Sequence, residues 1–159
     1  MIRTLLTAAA LGFAVAPPVA AAPPPVPPAT PAGPNFLAEN GAVKGVVTTP
    51  SGLQYFVVTS GPATGQHPTA QDIVTFDYEV KLLSGETVDS SYERGEPLTG
   101  AVGDFVPGFT EALELMRPGD EWIVWVPPQL GYGDKDSGPI PGGSVLRFKL
   151  ALHSIAPAG

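Results

Sequence analysis

Three groups of residues in the second half of the chain carry side chains that chemistry could use. They are Asp89 behind Val88, Tyr132 between two glycines, and the apolar trio Phe105, Val106 and Phe109. A carboxylate can accept protons or fix neighbouring donors, a phenol can donate a hydrogen bond, and an apolar wall can keep water out. Each also has a plainer explanation. An aspartate at a strand end commonly makes an Asx-turn, a tyrosine in a Gly-flanked loop can cover a core edge, and the trio can be core. The stretch "DFVPGFTEALELM", residues 104–116, sharpens the choice. Phe109, Ala112, Leu113 and Met116 fall at i, i+3, i+4 and i+7, one apolar helix face. Phe105 and Val106 nevertheless crowd the entrance just before Pro107-Gly108, where a polar N-cap would ordinarily stand.

Much other chemistry is excluded. The chain has no cysteine, so disulfides, thiol nucleophiles and thiolate-bound metals are absent together. His67 and His153 are the only imidazoles, too few for a histidine-rich metal site. There is no G-x-S-x-G, no Walker A and no H-E-x-x-H. Gly131-Tyr132-Gly133 begins like a dinucleotide loop, but Asp136 occupies the third glycine position and no strand-to-helix transition surrounds it, so it reads as a turn. With 8 Lys+Arg against 15 Asp+Glu, the chain is acidic. Non-specific binding to nucleic acid or anionic lipid is disfavoured.

The elements that must position these residues are mostly strands. In "DIVTFDYEVKLL", 72–83, Val74, Phe76, Tyr78, Val80 and Leu82 alternate with Thr75, Asp77, Glu79 and Lys81, a half-buried strand. Ser84-Gly85 turns the chain, and "ETVDSS" can return as its partner. "SVLRFKLALHS", 144–154, alternates in the same way, and "SGLQYFVVTSG" is a further candidate. "EWIVWVPP" is rich in β-formers but apolar on both faces, so its orientation is not readable from pattern. The one expected helix, about eight residues long and closed by Arg117-Pro118-Gly119, is too short to be stable alone and must lean on the sheet. The expectation is an α+β fold, an antiparallel sheet curved around one short helix.

The N-terminus has the pattern of an export signal: Arg3, an apolar run from Leu5 to Ala16, then small residues around Ala21. That run is about 12 residues, short of the roughly 20 that span a bilayer. The expected division is a signal peptide at 1–21, a Pro-rich spacer and short pre-domain segment at 22–48, and the folded domain at 49–157. Seven of the thirteen residues from Ala22 to Pro34 are proline, including a P-x-x-P match at Pro24 to Pro27, so a semi-rigid spacer is expected. These features imply an exported protein, in a bacterium most simply periplasmic, without stable membrane insertion.

Taken in order along the chain, "FDYEVKLLSGETVDSSYERGEP", "FVPGFTEALELMRPGDEW", "VPPQLGYGD" and "GPIPGGSVLRFKLAL" resemble the FKBP-type peptidyl-prolyl isomerases, from about Ser51 to Ile155. The upstream "NFLAENGAVKGVVTTPSGLQY" is similar to the segment preceding this domain in exported bacterial members related to the macrophage infectivity potentiator. The resemblance implies a prolyl isomerase acting on proline-containing polypeptide clients without covalent chemistry, cofactor or metal. It implies a proline pocket lined by Tyr78, Val88, Asp89, Leu98, Phe105, Val106, Phe109, Tyr132, Ile140 and Phe148. The Tyr132 hydroxyl and the Ile140 N–H would meet a substrate carbonyl, and Asp89 would fix its neighbours rather than transfer protons. The family has tryptophan where this chain has Phe109, and phenylalanines at Val88 and Leu98. Those departures, with the Asp134-Lys135-Asp136 loop, imply weakened affinity for the family's macrolide ligands. They also keep open an alternative, a non-catalytic chaperone-like or peptide-binding module. Dimerising exported relatives use a long helical arm, which the proline run cannot form, so a monomer is expected.

Overall fold

The computed structural model describes residues 35–158. The expected signal peptide and the proline run to Pro34 lie outside the described residues. In chain order the elements are α1 (Phe36–Gly41), β1 (Val46–Thr48), β2 (Gln54–Thr59), β3 (Ile73–Leu82) and β4 (Thr87–Ser90). They continue with α2 (Ser91–Arg94), β5 (Leu98–Ala101), α3 (Pro107–Leu115), β6 (Glu121–Val126) and β7 (Leu146–Ala156). Seven strands form one antiparallel sheet in the order β1-β2-β6-β7-β3-β4, with β5 also paired to β3.

The alternation in the sequence becomes the two faces of this sheet. Val74, Phe76, Tyr78 and Val80 of β3 are buried, as are Leu146, Phe148, Leu150 and Leu152 of β7. Val80 opposes Phe148 and Tyr78 opposes Leu150 across the β3–β7 pairing. The expected helix is α3, nine residues rather than about eight, lying on this apolar face with Phe109, Ala112 and Leu113 buried. Val106 occupies its N-cap without a side-chain cap, and Pro107 opens the first turn. Proline loses nothing there, because the first helical N–H has no intrahelical acceptor. The Thr110 hydroxyl donates to the Val102 carbonyl at 2.8 Å, tying the helix to the 3-10 turn before it. Gly108 lets α3 sit close: a Cβ there would lie 2.6 Å from Val126 Cγ1 and 3.1 Å from Leu130 Cβ.

β6 resisted reading because both of its faces are covered. Trp122, Val124 and Val126 join the main core, whereas Ile123 and Trp125 form a second cluster with Phe36 and Leu83. Phe36 comes from α1, an element the alternation pattern did not reveal. Asn40 Nδ2 donates to Gln54 Oε1 at 2.8 Å, and Gln54 Nε2 donates to the Leu37 carbonyl at 2.6 Å, which fastens α1 to β2. Among the described residues, the packed body thus includes α1, which lies within the segment 22–48 expected to hold the spacer and a short pre-domain stretch. Short α2, β1 and β5 were likewise not anticipated.

The second cluster predicts a stability effect far from the main core. Phe36→Ala should cost about 3–5 kcal/mol, the range for a buried aromatic truncation. Urea unfolding followed by tryptophan fluorescence checks this, with Trp125 emission shifting red as α1 lifts away. An unchanged midpoint would show α1 to be a mere appendage.

Candidate functional site

The site is built where β3, β4, β5 and β7 meet the start of α3. β3 supplies Tyr78 and β7 supplies Phe148, both from the alternating apolar faces. β4 supplies Val88 and Asp89 through an irregularity. Val80 pairs with Asp89 and Lys81 with Thr87, so Val88 is an extra residue on its strand. Consecutive strand residues normally point to opposite faces. The bulge re-aims one of them, and Val88 and Asp89 both line one cavity.

That cavity has a volume of about 620 Å³. All ten residues named from the sequence line it: Tyr78, Val88, Asp89, Leu98, Phe105, Val106, Phe109, Tyr132, Ile140 and Phe148. Sequence reasoning missed Val80, Asp104, Ser137, Gly138 and Pro139. Val80 could have been found, since it shares a face with Tyr78 two residues away.

Phe109 is the floor. It is only 4% exposed, and its ring centroid lies 5.3 Å from Phe76, 5.0 Å from Phe105 and 5.1 Å from Phe148. Tyr78 meets it edge-on at 6.4 Å. Tilted and edge-on contacts are the geometries aromatic quadrupoles favour, each adding about 0.5–1.5 kcal/mol beyond area burial. The apolar entrance to α3 is thus both wall and core.

One side of the cavity is polar and locked. The Tyr78 hydroxyl donates to Asp89 Oδ2, while Arg94 donates to Asp89 Oδ1 and, at 2.9 Å, to the Tyr78 hydroxyl. The Ser90 N–H also reaches Asp89 Oδ1 at 2.8 Å. Ser91 Oγ accepts from the Tyr78 N–H at 2.9 Å and donates to Asp77 at 2.7 Å, pinning α2 to β3. Arg94, whose role no sequence signal gave, reaches this cluster because α2 is capped by Ser90 and ended by left-handed Gly95. Burial, then the hydrogen bond to Asp89, raises the Tyr78 pKa, so the phenol stays a donor. The Tyr78 hydrogen bond is the main cause holding the Asp89 carboxyl below its ordinary value, with Ser90 and Arg94 adding to it. A carboxylate so engaged is a brace that fixes the positions of Tyr78 and Arg94.

Further lining residues bring other hydrogen-bond donors to the cavity. Tyr132 is 45% exposed, and its hydroxyl has no partner among the described residues. Its turn is held by the Gly133 N–H donating to the Pro128 carbonyl at 2.8 Å. The Ile140 N–H differs from expectation. It donates to the Ser137 carbonyl at 3.0 Å, while the Ser137 N–H returns to the Ile140 carbonyl at 2.8 Å. That closed turn occupies the donor assigned to substrate. The Val106 N–H, at the uncapped start of α3, donates to no described backbone or side-chain acceptor. Among the described residues no three His, Cys, Asp or Glu side chains gather as a metal site.

Because the folded-state pKa of Asp89 is depressed below 3.8, its contribution is complete above the unfolded value and disappears as pH falls through the folded one. The urea midpoint should therefore drop below about pH 4 in the parent and drop less steeply in Asp89→Asn. Identical acid limbs for the two proteins would contradict the brace.

Comparisons with known proteins bear on the family and the fold. The family model for FKBP-type peptidyl-prolyl cis-trans isomerase matches residues 64–153. The model for the domain amino-terminal to that isomerase matches residues 28–57, which include α1 and β1. The chain is 42% identical to "Outer membrane protein MIP" of Legionella longbeachae over 79% of this chain and 54% of that one. It is 44% identical to "Peptidyl-prolyl cis-trans isomerase Mip" of Coxiella burnetii over 76% of this chain and 52% of that one. Among solved structures, FkpA from Escherichia coli superposes with a TM-score of 0.75 at 35% identity, covering 79% of this chain and 58% of that one. The chain spans about half the length of the curated relatives it matches. On the residues matched and the fold they adopt, the chain belongs to the FKBP-type peptidyl-prolyl cis-trans isomerase family.

Proposed function

We propose that the protein catalyses cis–trans isomerisation of X–Pro bonds in polypeptide clients. The observation that carries this reading is the aromatic-floored cavity with unengaged donors beside it. Rotation about X–Pro breaks amide resonance against a barrier of about 18–20 kcal/mol, and unaided it takes tens to hundreds of seconds. The twisted amide is less charge-separated than the planar one, so a dry cavity favours it over the ground state. Better binding of the twisted form is sufficient for catalysis. A barrier lower by about 5 kcal/mol would give nearly four decades in rate.

In this reading the proline ring rests on Phe109 between Phe105, Phe148 and Tyr78, with Val88 and Leu98 as walls. The Tyr132 hydroxyl and the Val106 N–H orient the substrate carbonyls, the latter replacing the Ile140 N–H that Ser137 engages. Asp89 and Arg94 hold Tyr78 in place. Macrolide ligands of the family would bind more weakly, because Phe109 offers a smaller platform than tryptophan. The non-catalytic binding module remains the rival for which Val88, Leu98 and Phe109 speak, and turnover separates the two. Residues 1–21 would direct export to the periplasm and residues 22–34 would serve as spacer. No described helix is long and apolar enough to cross a membrane.

A protease-free isomerisation assay on short X–Pro peptides should show turnover by the parent. Tyr132→Phe should retain its denaturation midpoint and lose about two- to thirteenfold in kcat/KM, equivalent to one hydrogen bond of about 0.5–1.5 kcal/mol. Binding of the peptides without any turnover would favour the binding module instead. Parent-like kinetics in Tyr132→Phe would remove that residue from the site.

A further inference from the structure

The cavity wall contains two carboxylates in different electrostatic conditions. Asp89 is paired with the Arg94 cation and accepts a hydrogen bond from the Tyr78 hydroxyl. Asp104 also lines the cavity, on the 3-10 turn Val102–Asp104 that leads into α3. It is exposed, and it makes no ion pair and no side-chain hydrogen bond among the described residues. The fixed charge left uncompensated on the wall is therefore negative. The rim repeats the sign. Between the lining residues Tyr132 and Ser137, the exposed loop is Asp134-Lys135-Asp136, two carboxylates against one lysine. Asp136 Oδ1 accepts from the Gly142 N–H at 2.7 Å, which fixes that charge in the loop.

We propose that Asp104 biases the site toward clients with lysine or arginine beside the proline and against those with glutamate or aspartate there. The proposal rests on the isomerase reading of the cavity and deepens it by naming the client class. A proline seated on Phe109 brings its sequence neighbours to the mouth of the cavity. There a cationic side chain meets Asp104 and an anionic one meets repulsion. The walls are apolar, and low-dielectric walls focus the field of a charge toward the opening. Asp104 remains in contact with solvent, so the bias is modest, of the size of an exposed ion pair, about two- to fivefold.

The test uses peptides sharing one X–Pro bond and carrying Lys, Gln or Glu immediately before X or immediately after Pro. Isomerisation kcat/KM is measured in the parent, Asp104→Asn and Asp104→Lys, at low salt and at 1 M salt. The parent should prefer Lys to Glu by about two- to fivefold in at least one position. The ratio should shrink toward one at 1 M salt, where the screening length is about 3 Å. Asp104→Asn should reduce the ratio, and Asp104→Lys should reverse it. Because the ratio is read within each variant, a general loss of turnover does not disturb it. Equal rates for Lys and Glu peptides in the parent, or a ratio untouched by Asp104→Lys, would overturn the proposal. Titrating the same peptides by amide chemical shift reads the preference without turnover. A preference in binding with no isomerisation would sink the catalytic reading and leave the role of Asp104 standing.

Discussion

The interaction on which the rest of the structure depends is the packing of Phe109 against Phe76, Phe105, Tyr78 and Phe148. It joins three elements at one point: α3, β3 and β7. The helix is too short to persist without that contact, and the sheet face would be wet without the helix. Yet the same rings leave a cavity of about 620 Å³ above them instead of closing over it. A core that stops short of filling its own mouth is what a non-covalent site for an apolar ring requires. The missing N-cap follows from the same need. A polar cap at residue 106 would satisfy the helix and wet the wall, so the sequence leaves the helix start bare and its amide free.

The polar side of the cavity solves a different problem. A buried phenol placed beside an apolar ring would rotate unless it were held, and Asp89 with Arg94 holds it. The bulge in β4 is what makes this compatible with an apolar wall, because it lets Val88 and Asp89 serve one face. Ser91 then carries the constraint back to the β3 backbone. The brace is thus spread over six residues, Asp77, Tyr78, Asp89, Ser90, Ser91 and Arg94, and reaches the Tyr78 amide by way of α2.

How much of this was legible in the sequence varied by element for physical reasons. β3 and β7 were legible because one face meets solvent, so alternation survives. β6 was not, because α1 covers its reverse face and makes Ile123 and Trp125 as apolar as Trp122 and Val124. α1 itself is six residues long, below the length at which periodicity can show. The ten cavity residues came from the order of motifs rather than from any single residue, and the cavity gathers all ten. The engagement of the Ile140 N–H by Ser137 was not legible, because a backbone hydrogen bond within a local turn leaves no mark on side-chain sequence. Arg94 was invisible for a related reason: its reach depends on the turn geometry that Gly95 allows.

The most direct measurement of the central claim is kcat/KM for X–Pro isomerisation in Phe109→Leu, under conditions where the variant is fully folded. Leucine keeps an apolar group in the core but removes the flat platform. The account predicts a fall of about tenfold or more, equivalent to about 1.4 kcal/mol or more of transition-state binding. A folded Phe109→Leu protein that isomerised as fast as the parent would contradict it, and would leave Phe109 as core alone.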